Sequence, residues 1–257
     1  MARILITGSS DGLGQISARA LISQGHKVTL HARNTERAKQ ASEGTPGAED
    51  VLIADLSSIA QTKALAAEAN KRGAFDVVMH NAALGYQEGY RKTEDGITSL
   101  FAVNSLAPYI LTCLMKKPKR LVYLSSEMHD SGDANLKDVP WTSEGRSWNS
   151  LQAYSDSKLH DVLLAFAVAR HWPDVESTAC TPGWVRTKMG GAGAPGDAEK
   201  GARTQIHLAG TKENTGSGRY WINLKPSKAH PAVEDVAKQE EFLRICEGLT
   251  GVAFPSN

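Results

Sequence analysis

The chain has 257 residues, 41% of them hydrophobic, so it can bury a substantial core as one large domain or two small ones. A net charge of +1, from 29 Lys and Arg against 28 Asp and Glu with no block of like charge, leaves no electrostatic case for nucleic acid or an anionic membrane. The opening "MARILITGSS" is too short for a signal peptide, no run approaches the ~20 apolar residues of a membrane span, and Cys113, Cys180 and Cys246 lie scattered in apolar stretches, so a cytoplasmic protein with buried thiols is expected.

Short apolar runs then alternate with longer helical patterns. "RILIT" (3–7) predicts a first strand, and "GQISARALISQG" (14–25), with Ile16, Ala20 and Leu21 on one face and a stop at Gly25, predicts a helix. "HKVTLHA" (26–32) reads as a strand, "TERAKQASEG" (35–44) as a short polar helix, and "DVLIAD" (50–55) as a third strand. "SIAQTKALAAEANKRG" (58–73) is an Ala-rich helix, followed by the strand "FDVVMHNA" (75–82). Gly96 to Met115 is apolar most of the way round and predicts one long, buried helix. "KRLVYLSS" (119–126) is a fifth strand, and 127–150 is polar with Trp141 and Trp148 embedded. Residues 151–172 form another long helix, "VESTACTPG" (175–183) a sixth strand, and 185–200 a Gly-rich stretch. A short helix, the strand "GRYWIN" (218–223) and an amphipathic helix at about 232–249 complete the chain. This alternation implies right-handed crossovers and a parallel sheet covered on both faces. Ligands of such sheets bind beyond the carboxyl ends of the strands, so the residues there carry the functional information.

The first strand ends in "TGSSDGLG", where Gly8, Gly12 and Gly14 let the backbone turn sharply toward a diphosphate at a helix N-terminus. The second ends in Ala32, Arg33 and Asn34: it offers no carboxylate for a ribose 2′-hydroxyl, and it offers a guanidinium suited to a 2′-phosphate. That favours NADP over NAD, the alternative being an ordinary solvated arginine. Asp55 and Leu56 close the third strand, placed either to bound an adenine or to cap the next helix. Asn81 closes the fourth, and Asn104 stands alone in an apolar helix, where it must find hydrogen-bond partners. Ser125 and Ser126 close the fifth, as donors to a reacting oxygen or as turn caps, and "TPGWVRT" follows the sixth. The eight histidines form no close-spaced set with Cys or acidic residues, so no metal site is expected. In "YSDSK", Tyr154 and Lys158 stand at i and i+4, which places both on one helix face. An ammonium fixed there favours the phenolate and makes the phenol a usable acid or base.

These residues, in this order, resemble the short-chain dehydrogenase/reductase family in its TGxxxGxG, YxxxK subtype, over about the first 190 positions. The resemblance implies an α/β fold: a single doubly wound Rossmann domain, 1–257, with about seven parallel strands and helices on both faces. It implies an NADP(H)-dependent oxidoreductase that moves hydride between nicotinamide and a carbonyl or alcohol. Tyr154 would be the general acid or base, and Lys158 would assist it and hold the nicotinamide ribose. Ser126 would polarise the carbonyl, and Asn104 would hold a water in the proton relay. Gly8, Ser10, Gly12 and Leu13 would line the diphosphate and ribose, and Arg33 and Asn34 would face the 2′ position. Asp55 and Leu56 would flank adenine, with Asn81 and Ala82 by the adenosine ribose. Pro182, Gly183, Val185 and Thr187 would hold the nicotinamide, and Trp184 is a substrate-contact candidate. Family members are commonly homodimers or homotetramers. A catalytically silent NADP(H)-binding redox sensor on the same fold is the alternative, against which the intact Asn104, Ser126, Tyr154 and Lys158 speak.

Two departures stand out. The family's NNAG is here "HNAA", with His80 and Ala83 substituted. The 127–150 insertion between Ser126 and Tyr154 is similar to that of the retinol-dehydrogenase-like branch, and reads equally as a substrate flap or a loop packed by its two indoles. The 185–212 region is the expected substrate loop, and His129, His160 and His207 are read as non-catalytic.

Overall fold

Ile4, Leu5 and Ile6 of the first strand are fully buried, so this strand can only lie mid-sheet with both faces covered. The computed structural model, which describes residues 1–255, places it there. The strands are β1 (Arg3–Ile6), β2 (Lys27–Ala32), β3 (Asp50–Ile53), β4 (Val77–His80), β5 (Arg120–Leu124), β6 (Glu176–Thr181), β7 (Arg219–Ile222) and β8 (Lys225–Ser227). They form one sheet in the order β3-β2-β1-β4-β5-β6-β7-β8. The first seven are parallel, and the order reverses between β1 and β4, which opens a crevice at their carboxyl ends.

The helices are α1 (Gly12–Ser23), α2 (Thr35–Gly44), α3 (Ile59–Lys71), α4 (Ser99–Phe101), α5 (Ala107–Leu114), α6 (Ser150–His171), α7 (Ala198–Gly210) and α8 (Val236–Thr250). Alternate residues of each strand serve opposite cores. Leu5, Val78, Leu121, Tyr123 and Ala179 face α3, α5, α6 and α8. Ile4, Ile6, Val28, Leu30, Met79 and Val122 face α1 and α7. Asn34, Ser58, Asn149 and Asp197 cap α2, α3, α6 and α7 by accepting a backbone N–H at each start. Among the described residues, no helix is long and apolar enough to cross a membrane.

The expected seven parallel strands are all present, and the sheet gains an eighth. β8 returns antiparallel on β7 through a tight turn at Asn223 and Leu224, whose φ values are 48° and 64°. Its residues Lys225, Pro226 and Ser227 carry no strand propensity and are exposed, so no sequence pattern marks them. The long helix of 96–115 begins only at α4, because Gly96 sits at φ 80° in the turn before it. Between α4 and α5 the chain widens into a π-helical turn, Ala102–Leu106, with Asn104 at its centre.

The 127–150 insertion packs as a built loop. The Trp141 indole N–H donates to Asp156 Oδ2 at 3.0 Å, and the Asp133 N–H and Gln152 Nε2 donate to Oδ1 at 2.8 and 2.7 Å. The Arg146 guanidinium lies 3.3 Å over the Trp141 ring. Trp148 meets Trp141 and Tyr90 edge to face, each at 5.4 Å.

Candidate active site

The crevice at the strand ends is a cavity of about 960 Å³. Its floor is the turn after β1. Gly8 has φ 62°, and a Cβ there would sit 2.7 Å from Ala82 Cα; at Gly14 it would sit 2.5 Å from both Asn81 Nδ2 and Gly8 O. Glycine is required at both positions by contact with β4's end. Asn81 Nδ2 donates to Thr7 O at 2.9 Å and Gly8 O at 3.0 Å, while Thr7 Oγ1 accepts the N–H groups of Asn81 and Ala82. The side-chain amide of Asn81 is therefore a strut of the turn as well as part of the wall.

A second strut was hidden in β2. His31 is buried and accepts the Gly8 N–H at Nδ1 (3.0 Å), which leaves Nε2 as the N–H that donates to Ala54 O at 3.0 Å. Burial pulls its pKa down to about 4, with the Ala54 bond opposing, so the ring is neutral and suited to accept. Nothing in the sequence separates this histidine from an ordinary strand residue.

Of the expected residues, Gly8, Ser10, Gly12, Leu13, Arg33, Asn34, Asp55, Leu56, Asn81, Ala82, Tyr154, Lys158, Pro182 and Thr187 all line this one cavity. Asn34 also caps α2, and Asp55 Oδ1 accepts from the N–H and hydroxyl of Ser57, closing a turn before α3. Arg33 is exposed at the rim, whereas Arg37 is paired with Asp11 of the glycine-rich turn. Lys188 also pairs with Asp11 at 3.4 Å, and Gln87 Nε2 donates to Met189 O at 2.8 Å, so the loop after β6 is tied across the cavity mouth.

Asn104, Ser126, Gly183, Val185 and Trp184 are not among the lining residues. Asn104 clamps Leu84 through both backbone groups, at 2.7 and 3.0 Å, and donates to Ser157 Oγ at 3.0 Å. The Ser126 hydroxyl accepts the Met128 N–H at 3.2 Å, and it is Ser125 of the pair that lines the cavity, with its hydroxyl turned to Lys158 O at 2.7 Å. His129 Nδ1 donates to Ser126 O at 2.8 Å while Nε2 accepts the His230 N–H, so this unassigned histidine fixes the serine's backbone. Val185 is buried, and Gly201 packs against it so closely that a Cβ there would lie 2.7 Å from Val185 Cγ1. Trp184 is 56% exposed, its indole N–H turned back to Gly190 O at 2.9 Å. His80, the departure in "HNAA", faces the core: it stacks on Tyr123 at 4.7 Å, and burial lowers its pKa to about 3.

On α6, Tyr154 and Lys158 both reach the cavity, the ammonium lying 5.7 Å from the centre of the phenol ring. Tyr86 meets Tyr154 edge to face at 6.0 Å. A glycine-built dinucleotide cradle and a phenol–ammonium pair share one cavity, and a family model for short chain dehydrogenases matches residues 2–197. The chain belongs to the short-chain dehydrogenase family. As such it is an oxidoreductase of a family that uses a nicotinamide cofactor. The sequence of this short-chain dehydrogenase is 50% identical to an uncharacterized oxidoreductase of Emericella nidulans, with 99% of each chain covered. It is 29% identical to human retinol dehydrogenase 14, over 97% of this chain and 86% of that one. A solved structure of an uncharacterized protein from Mycobacterium paratuberculosis superposes with a TM-score of 0.86 at 26% identity, covering 99% of this chain and 95% of that one.

Proposed function

We propose that this short-chain dehydrogenase is an NADP(H)-dependent carbonyl reductase or alcohol dehydrogenase with Tyr154 as its general acid and base, the whole chain acting as one dinucleotide-binding and catalytic domain. The observation that carries the reading is the convergence of Tyr154 and Lys158 with the Gly8–Gly14 turn on one cavity. The residues present fit a dinucleotide: the floor is a glycine turn packed so closely on Ala82 and Asn81 that Gly8 and Gly14 have no room for a Cβ, and it lies at the N-terminus of α1. Gly8, Ser10, Gly12 and Leu13 would hold the diphosphate, and Lys158, Pro182 and Thr187 the nicotinamide end. Bound there, the cofactor supplies or accepts the hydride.

The chain's own work is to orient the carbonyl and manage one proton. In reduction, Tyr154 Oη gives its proton to the developing alkoxide, and the Lys158 ammonium stabilises the phenolate left behind. Ser126, whose hydroxyl accepts the Met128 N–H and keeps its own proton to give, would donate to the same oxygen. Arg33, exposed at the rim with no carboxylate at the end of β2, supports NADP over NAD.

The test is NADPH consumption across a panel of aldehydes and ketones, alongside NADPH binding read by fluorescence. Tyr154→Phe is expected to lower kcat by about 10²–10⁴-fold while binding persists. Turnover that survives the substitution overturns the role of Tyr154. Tight binding with no turnover of any carbonyl by the native protein marks a redox sensor instead.

A further inference from the structure

Lys158 and Asp161 stand three residues apart on α6, their side chains each 3% exposed, with Nζ 2.8 Å from Oδ2. The ammonium also donates to Leu124 O at 2.8 Å. Two of its three N–H groups are thus committed, and one is left for the cavity that Lys158 lines. An ammonium in so dry a place loses its hydration, and burial by itself drives a lysine toward the neutral amine. A neutral amine would do nothing for the phenolate of Tyr154.

We propose that Asp161 is a positioning residue for the reaction: the built-in counter-ion that keeps Lys158 protonated and fixed one helical turn from Tyr154. The proposal rests on the oxidoreductase reading for why that ammonium matters, but the ion pair itself does not depend on it. Among the described residues, the surroundings contain no competitor for the role. Tyr123 from β5 and Cys180 from β6 are the titratable groups facing the pair from the sheet, besides Tyr154 on the same helix. Burial pushes the Cys180 thiol up to about 12 and the Tyr123 phenol upward as well, so both stay neutral. Burial is the largest influence on Lys158 and pulls it down, yet the Asp161 carboxylate, then the Tyr154 phenol, raise it above the ordinary lysine value. Burial likewise pushes the Asp161 carboxyl up to about 6 against the pull of Lys158, so the pair is charged at neutral pH. Asp161 itself is absent from the cavity wall, so it acts only through the lysine.

The experiment needs no substrate and no cofactor. Full-length protein labelled at lysine 13Cε is titrated by NMR, with the Lys158 resonance assigned by its loss in Lys158→Met. In the native protein that resonance is expected to hold its ammonium position throughout the pH range in which the protein is folded. In Asp161→Asn its midpoint should fall by about 2 units or more, and Asp161→Glu should restore most of the shift. The proposal is overturned if Lys158 titrates in Asp161→Asn where it does in the native protein. It is equally overturned if the native Lys158 discharges below ~10.4, a result that stands even where Asp161→Asn does not fold. Absence of turnover by the native protein over the carbonyl panel, with this titration intact, would sink the carbonyl-reductase reading and leave the counter-ion in place.

Discussion

At the residue scale, two side chains at the cavity bear on the proposed cofactor. Arg33 is an exposed guanidinium at the rim, while its neighbour Arg37 is already held by Asp11. Charge-assisted hydrogen bonds to a phosphate are strong even at an open rim. Arg33→Ala should therefore cut the preference for NADPH over NADH by about tenfold or more, measured as the ratio of the two dissociation constants; an unchanged ratio removes Arg33 from cofactor choice. His31 acts on the cradle from behind. Replacing it with Leu leaves the half-buried Gly8 N–H and the Ala54 carbonyl without their partners, at a cost of about 1–3 kcal/mol for each group that stays shielded from water. A lower unfolding midpoint in urea and weaker NADPH binding are expected together in His31→Leu. Gly8 was legible because its spacing announces a turn. His31 was not, because strand alternation says only that a residue is buried, and not which backbone groups its two nitrogens will meet.

At the scale of elements, the insertion is held by one carboxylate on the following helix. Asp156 gathers the indole N–H of Trp141 and the Asp133 N–H, with Gln152 of the same helix beside them, and so ties the start and the middle of the loop to α6. Trp141→Phe keeps the ring and removes one donor to that carboxylate. It should lower stability by about 1–3 kcal/mol and speed limited proteolysis within 132–149, with cleavage elsewhere unchanged. Equal cleavage rates in the two proteins would show that the loop is held by apolar packing alone. The sequence left the two tryptophans open between a substrate flap and the packing of this loop, and their anchor was not visible at all, since Asp156 reads as an ordinary helix-surface acid. The π turn around Asn104 escaped for a different reason. Leu100, Phe101, Val103 and Leu106 are buried around it, so the extra residue breaks no hydrophobic phase that a reader could detect.

At the scale of the whole molecule, buried titratable groups fix the acid limit of stability. His31, His80 and His160 are held neutral, with folded pKa values of about 4, 3 and 3 against 6.5 unfolded. Burial is the main cause in each. Their contribution is complete above pH 6.5 and is lost as pH falls toward those folded values. Asp161 works the other way, since its folded value of about 6 lies above the unfolded 3.8, and the folded state therefore gains a proton first. Between pH 6 and 4 the unfolded chain holds three protons on the histidines where the folded chain holds one on Asp161, a difference of two. Stability should then fall by about 2.7 kcal/mol per pH unit from these four groups, measured by urea unfolding at pH 6, 5 and 4. A flat profile over that interval would mean the histidines are charged in the folded state. The seven parallel strands and the place of the cavity were readable from alternation and Gly position, because parallel crossovers leave few topologies open. The eighth strand was not, because its three residues are placed by the turn before them and not by burial.

That eighth strand has a bearing on assembly. β8 closes one margin of the sheet with Lys225, Pro226 and Ser227, all exposed. Proline brings no amide hydrogen, and a lysine beside it resists burial against a like strand. Joining two copies' sheets into one ribbon is disfavoured across this margin, which leaves the β3 margin, the helix faces and the loops for any contact between copies.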